Sequence, residues 1–281
     1  MKTQLLRLWH IEWIKVWQSR SNRIMLIGYF ALLLLLSAMA MIKYNFGQFV
    51  FQPATQGAFD FPYIWHLMTY VAAKLKLVFA LVVIGQICNE ISYNTLKQNL
   101  IDGFTPQAFL GSKMLFIAVL TIASTCVVGV LTLGLGFVFS TFTQAHVVLK
   151  DVGFLAAYAL KLFTFFSFCV FLSLLLRRSL LVLSFIAFWA VAEPIVYFIL
   201  KISLGSKAVA TSTYNLMPLE AMSRLIEEPF TRFPVIQNMG KALGNTFQVS
   251  YQVPADAIWA CMVWIVLFWG LSLRMIQKRD W

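Results

Sequence analysis

Charged residues are scarce in this chain, and acidic residues and histidines are scarcer still. Charged residues make up 12% of the 281 residues, with only 11 Asp and Glu and three His, whereas 60% of the residues are hydrophobic. An ordinary soluble domain is about 25% charged and about 45–50% apolar. This composition excludes an ordinary soluble protein and indicates an all-α, polytopic membrane protein.

The sequence also lacks the motifs of several enzyme classes. It has no G-x-x-x-x-G-K-[ST] string, because the nearest candidate, Gly111-Ser112-Lys113, lacks the upstream spacing, and it has no H-E-x-x-H string. The four cysteines lie in or beside apolar runs without C-x-x-C spacing and are expected to be packing residues. They are Cys88, Cys126, Cys169 and Cys261. We predict that this chain is not an enzyme and binds no cofactor or metal.

One short string matches a catalytic motif. The segment Glu227-Glu228-Pro-Phe-Thr-Arg232 fits the E-E-x-x-x-R pattern of the CAAX-type membrane proteases. Those enzymes also need histidines in later helices, and here all three histidines (His10, His66 and His146) precede the string. A chance match in a charged loop is therefore the favoured interpretation.

Long apolar runs predict six transmembrane helices within a single domain, residues 1–281. A run of about 20 apolar residues spans a bilayer as a helix. Two polar segments separate some of the spans and predict loops, at 90–112 and at 201–255. The spans are predicted at about 24–42, 63–89, 113–142, 152–176, 179–200 and 256–273.

Residues 1–23 predict an amphipathic helix that lies in the membrane interface. Its apolar face repeats at helical spacing and its polar face carries basic residues, which suits contact with anionic lipid headgroups. The apolar face is Leu5, Leu6, Trp9, Trp13, Val16 and Trp17, and the opposite face is Gln4, Arg7, Lys15 and Gln18.

The distribution of basic residues predicts the orientation. Twelve of the 22 Lys and Arg residues fall in the N-terminal, 90–113, Arg177-Arg178 and C-terminal segments, which can all lie on one side of a membrane. The positive-inside rule places these segments in the cytoplasm, together with both termini. We predict a multi-pass protein of a bacterial cell membrane. The net charge of +11 is then explained by the basic cytoplasmic segments of a membrane protein, and nucleic acid is not an expected partner.

Four ionisable residues within the spans are candidates for a translocation pathway. Lys74 and Lys76 are expected in the outer half of the second span, where they either contact an anionic substrate or snorkel to the interface. Their spacing places them on different faces of a continuous helix, so at most one is expected to face a given cavity. Lys161 lies deeper, in the fourth span, and a pairing with Glu193 of the fifth span is one option. Pro194, after Glu193, is expected to kink its helix.

The segment 90–113 is expected to form two short helices on the cytoplasmic side. Leu96 and Leu100 give the first helix an apolar side, and Asp102-Gly103 forms a turn. Thr105 then precedes Pro106, which is the pattern of an N-cap followed by proline at the first helical position.

The order of these features resembles the ABC-2 type permeases, the membrane subunits of many ATP-driven exporters. The shared features are a basic amphipathic helix before the first span, the acidic Glu90 followed by the Asn94-Thr95 turn, and a segment from Asp102 to Lys113 before the third span. A large loop before the last span and the basic tail Lys278-Arg279-Asp280 complete the resemblance. In the family the turn is more often Gly-Thr. Asn94 departs mildly from that pattern, because asparagine tolerates a left-handed backbone.

The resemblance implies that the chain pairs with a second permease, identical or homologous, and with a cytosolic ABC ATPase that supplies ATP and Mg. The expected ATPase-coupling residues are Glu90, Tyr93, Asn94, Thr95, Gln98 and Asp102. Glu90 is expected to pair with a basic group of the ATPase or of the N-terminal helix. Two alternatives stay open: a non-transporting scaffold of a motility or secretion assembly, and an ATP-independent channel or carrier.

Overall fold

The chain folds almost entirely into helices in the computed structural model. The structure describes residues 12–39, 42, 44–46, 49–51, 57–95, 98, 101, 105–142, 144–203, 206–232 and 251–278. Residues 12–18 are helical and are called here the N-terminal helix. The further helices are α1 (Arg20–Met39), α2 (Tyr63–Lys74), α3 (Lys76–Ser92), α4 (Pro106–Phe139), α5 (Ala145–Val148), α6 (Gly153–Leu176), α7 (Ser179–Ser203), α8 (Lys207–Asn215), α9 (Pro218–Arg224) and α10 (Ala255–Lys278).

Five or six of these helical segments are long and apolar enough to cross a membrane, which confirms the predicted fold class. Five do so individually, and α2 with α3 make a sixth if the bent pair is one span. The axes of α2 and α3 differ by 41° at a break on Leu75. The sequence has no Gly or Pro from residue 63 to residue 84 and predicts one continuous helix there. Nothing in the local residues explains the break.

Helix α6 lies at the centre of the bundle. It packs against α2, α3, α4 and α10 and buries residues on all of its faces. A helix that is apolar all round favours such a position. By contrast, α1 and α7 bury few residues and expose large apolar side chains, as expected for helices that contact lipid. Helix α6 ends in a left-handed residue, Arg177 (φ 59°), which gives the predicted tight turn into α7.

The loop after α1 contains a small hairpin that the sequence analysis did not predict. Strands β1 (Tyr44–Phe46) and β2 (Phe49–Phe51) pair antiparallel, with Tyr44 opposite Phe51. Both strands are rich in aromatic residues, which favour extended backbone.

Helix α4 begins earlier than the predicted third span. Thr105 is its N-cap, since the Thr105 hydroxyl accepts a hydrogen bond from the backbone N–H of Ala108 at 3.1 Å, and Pro106 is the first helical residue. The predicted cap is therefore confirmed. The prediction of a second short helix here is wrong, because the helix that begins at Pro106 continues without a break through Lys113 to Phe139.

Gly136 of α4 allows a close contact with the buried ring of Phe61. A Cβ at Gly136 would fall on the Phe61 ring, whereas a Cβ at Gly134, one of its neighbours in α4, would meet nothing within 4 Å. We expect Gly136→Ala to lower the free energy of unfolding by about 1–3 kcal/mol through overpacking. Gly134→Ala is the matched control and should be neutral or stabilising, because alanine favours a helix. Thermal unfolding of the two purified variants checks this, and equal stability would contradict the contact.

Candidate functional site

Four charged side chains meet where the N-terminal helix contacts α3 and α4, and they are called here the Glu90 network. Lys113 Nζ donates to both carboxylate oxygens of Glu12 at 2.8 Å and to Glu90 Oε1 at 2.6 Å. Lys15 Nζ donates to the same Glu90 oxygen at 2.8 Å. Two positive and two negative groups thus form one neutral cluster.

The Glu90 network is almost completely shielded from solvent. The Lys113 side chain is 1% exposed and those of Glu12 and Glu90 are 4% and 6% exposed, whereas Lys15 is 31% exposed. Glu12 also accepts hydrogen bonds from Gln86 Nε2 (2.7 Å) and Ser112 Oγ (3.2 Å). Burial of a charge is costly unless a partner and hydrogen bonds offset it. These contacts therefore fix the N-terminal helix firmly to α3 and α4.

The sequence analysis found only part of this network. Glu90 has a basic partner on the N-terminal helix, which is one of the two options predicted for it, and that partner is Lys15. Lys113 falls in a predicted cytoplasmic segment, and the sequence predicts no role for Glu12. The sequence does contain a signal that Glu12 has a specific partner, because Glu12 is the sole acidic residue before Asp60 in an otherwise basic segment.

The N-terminal helix turns a different face to the protein from the one predicted. Val16 is buried as expected, but Glu12 is buried beside it, and Lys15 points into the network. Trp13 and Trp17 are 38% and 41% exposed and contact each other edge to face. The two tryptophans can thus contact a membrane interface, while Glu12 and Lys15 hold the helix to the bundle. Residues 1–11 lie outside the described part of the chain.

The other predicted coupling residues lie just beyond the Glu90 network. Tyr93 is 77% exposed, and Asn94 and Thr95 are exposed beside it. Asn94 has the left-handed backbone that the sequence suggested (φ 55°), and the Thr95 hydroxyl donates to the carbonyl of Glu90 at 3.0 Å. Gln98 is also exposed, whereas Asp102, Leu96 and Leu100 fall outside the described residues. The turn therefore presents a polar surface next to a buried, rigid network.

A second site, called here the lysine cavity, lies between α2–α3, α6, α7 and α9. Its volume is about 640 Å³. All four ionisable residues predicted for a translocation pathway line it: Lys74, Lys76, Lys161 and Glu193. That a substrate passes through this cavity stays a prediction.

The expectation that Lys74 and Lys76 cannot share a cavity is wrong. They would point to different faces of a continuous helix, but α2 ends at Lys74 and α3 begins at Lys76, and the break at Leu75 turns both toward the same space. Lys74 lies over the ring of Tyr70 (4.7 Å from Nζ to the centroid) and Lys76 over that of Phe165 (4.3 Å). Within the described residues, neither lysine has a carboxylate at ion-pair distance.

The suggested pairing of Lys161 with Glu193 is also wrong, because the short helix α9 lies between them. Glu193 accepts hydrogen bonds from the first backbone N–H groups of α9, at Leu219 (3.0 Å) and Glu220 (2.9 Å). Lys161 Nζ donates to the carbonyls of Ser223 (3.3 Å) and Ile226 (3.5 Å) at the other end. A helix favours a negative group at its N-terminus and a positive one at its C-terminus. The two buried side chains therefore hold α9 over the cavity.

The residues of the protease-like string have other partners. Arg232 donates to Asp151 Oδ2 through two nitrogens at 3.1 Å each, and its guanidinium lies over the ring of Tyr251. The backbone carbonyl of Glu227 contacts the His66 ring at 2.9 Å, while the side chains of Glu227 and Glu228 are exposed. This arrangement ties the loop before α10 to the ends of α2 and α6. In the described part of the chain, no group of three His, Cys, Asp or Glu residues could hold a metal.

Comparisons with known proteins do not identify this chain: no family model, curated protein or solved structure matches it significantly. The resemblance to ABC-2 permeases therefore remains a prediction, and the functional argument depends on the geometry of the Glu90 network and the lysine cavity.

Proposed function

We propose that this chain is the transmembrane permease subunit of an ABC-2 type transporter, driven by a separate cytosolic ATPase. A second permease, identical or homologous, would complete the export pathway. The observation that best supports the proposal is the Glu90 network. It joins the N-terminal helix to α3 and α4 through buried ion pairs, immediately beside the exposed Tyr93–Thr95 turn.

The proposed mechanism follows from the two ends of α3. Glu90 lies in the network at one end, and Lys76 lines the lysine cavity at the other, about 21 Å away along the helix axis. Closure of an ATPase dimer against the Tyr93–Thr95 turn would move the network as a unit. Because α3 is rigid between these residues, the displacement would reach the break at Leu75 and the cavity wall beyond it. The ATPase thus biases an equilibrium between two arrangements of the permease.

The proposed membrane placement uses the distribution of basic residues. The positive-inside rule puts the Glu90 network and both termini on the cytoplasmic side of the cell membrane. The lysine cavity then faces the outer half of the bilayer. The exposed aromatic pair Trp13 and Trp17 suits an interface beside this network.

We expect Tyr93→Ala to weaken capture of a Walker-motif ATPase by this protein. Tyr93 is a large side chain, 77% exposed, on the turn where the ATPase is proposed to dock, and such residues dominate binding energies. The measurement is affinity purification in mild detergent followed by mass spectrometry. The wild-type chain should retain the ATPase, and the variant should retain about tenfold less.

Leu149→Ala is the control for this experiment, because Leu149 is 66% exposed near the opposite end of α4. It should retain the ATPase at the wild-type level. A wild-type chain that purifies as its own oligomer without any ATPase would contradict the proposal. Full retention by Tyr93→Ala would show that the docking surface lies elsewhere.

An ATP-independent carrier or channel is the second candidate, and the lysine cavity favours it. Lys74 and Lys76 face the cavity without carboxylate partners in the described residues, as an anion-binding site would require. The two candidates differ in one measurement. Flux of an anion through the protein alone in liposomes supports a carrier or channel, whereas flux that requires added ATPase and ATP supports the ABC permease.

A further inference from the structure

The ionisable side chains around the lysine cavity differ in whether they already have a polar partner among the described residues. Glu193 and Lys161 are bound to the ends of α9. Burial, followed by the neighbouring Glu220 carboxylate, raises the pKa of Tyr214 to about 12. Within the described residues, the ammonium groups of Lys74 and Lys76 lie over the aromatic rings of Tyr70 and Phe165 and have no carboxylate at ion-pair distance. The lining therefore has an excess of positive charge at the break between α2 and α3.

Most of the remaining cavity wall is apolar. Beyond the two lysines, this wall is formed by side chains of α3, α6 and α7. The cavity volume of about 640 Å³ lies within the range of about 300–1,000 Å³ that is typical of sites that enclose a small molecule. Leu77, at the start of α3, is 50% exposed, so the cavity is accessible beside the lysines. The apolar lining residues of these three helices include Leu77, Leu81, Phe165, Leu183, Ile186 and Ala190.

We propose that the lysine cavity binds an amphipathic anion, with its acid group at Lys74 and Lys76 and its alkyl chain along the apolar wall of α3 and α7. A carboxylate or phosphate on an alkyl chain has this chemistry, whether it belongs to a membrane lipid or to a soluble amphiphile. The binding site lies within one chain and needs no ATPase. Binding of this anion does not depend on the proposed function, whereas export of the same anion by the transporter would rest on it.

The cation–π contacts support an anion over a neutral ligand. A lysine ammonium over a ring face retains donors on its other side, and its attraction to the ring is weaker than to an anion in the same place. An acid group can therefore bind Lys76 without displacing Phe165. The ring also fixes the position of the ammonium, which lowers the entropy that binding has to remove.

The test is native mass spectrometry of the detergent-purified protein with matched single-chain probes. Oleate and oleyl alcohol have the same chain and differ in the acid group, so oleate should be retained about tenfold more. Lys76→Gln should remove that preference and Lys76→Arg should keep it. Lys207→Gln is the control, because Lys207 is exposed at the start of α8 and does not line the cavity. Lys74→Gln is the second variant if Lys76→Gln fails to fold.

Two further probes distinguish the sources of the anion. Stronger retention of phosphatidylglycerol than of oleate, with phosphatidylcholine retained weakly, identifies a membrane lipid, and the reverse order identifies a soluble amphiphile. Either order supports the site if the preference depends on Lys76 or Lys74. Equal retention of oleate and oleyl alcohol, or wild-type retention by both glutamine variants, would overturn it. Because no ATPase is present, these outcomes are independent of the ATPase-capture experiment.

Discussion

Lys113→Met is expected to lower the free energy of unfolding by about 3–5 kcal/mol, because it leaves two buried carboxylates with a single cation, the partly exposed Lys15. Lys113 is 1% exposed and donates to both Glu12 and Glu90. Methionine fills a similar volume, so the loss would come from charge and not from a cavity. Thermal and denaturant unfolding of the detergent-purified variant, followed by tryptophan fluorescence, measures the change.

A double variant separates charge imbalance from lost packing. In Glu12→Gln/Lys113→Met the Lys15–Glu90 pair stays balanced, so the double variant should be more stable than Lys113→Met alone. Lys278→Met, at the exposed end of α10, is the matched control and should unfold like the wild type. If Lys113→Met were as stable as Lys278→Met, the network would not hold the N-terminal helix in place.

Glu193→Ala is expected to release α9 from the lysine cavity. The Glu193 carboxylate is 4% exposed and accepts two backbone hydrogen bonds, and each bond to a charged group contributes about 1.5–3 kcal/mol. A seven-residue helix is too short to be stable alone, so α9 depends on such contacts. A cysteine at Met222, a buried residue of α9, reports its opening. In a background without the four native cysteines, the maleimide labelling rate of this cysteine should rise at least about tenfold.

The matched variants for this experiment remove less of the same interaction. Glu193→Gln keeps a carbonyl acceptor and should give an intermediate rate. Glu228→Ala removes an exposed carboxylate after α9 and should leave the rate unchanged. Labelling of the Glu193→Ala variant at the wild-type rate would mean that apolar contacts alone hold α9.

The helices were predictable because the length of an apolar run is a local property of the sequence. Each of the six predicted spans overlaps a helix, and the Thr105-Pro106 cap was found from two adjacent residues. The start of α4 was misplaced for a related reason. Lys113 looked like the charged end of a span, whereas the fold buries it against Glu12, 101 residues earlier in the sequence. No local pattern reports such a distant partner.

The candidate sites were predictable only as a set of residues. Ionisable groups within apolar runs are few, so Lys74, Lys76, Lys161 and Glu193 could be named, and the structure does bring them to one cavity. Their partners could not be named. The break at Leu75 has no Gly or Pro to mark it. Helix α9 separates Lys161 from Glu193 only because the segment that contains it folds back over other helices, and no local pattern predicts that.

Helix α7 is long for the membrane that it would cross. Its apolar stretch before Lys201 has 22 residues and extends about 33 Å, against a hydrocarbon thickness of about 30 Å, and a helix with this mismatch tilts. The helix buries only Val182, Ile186 and Glu193 against the rest of the described chain, so little packing opposes such a tilt. Because α7 forms one wall of the lysine cavity and carries the carboxylate that holds α9, a thinner bilayer would tilt that wall further. The width of the cavity is thus linked to the thickness of the surrounding lipid.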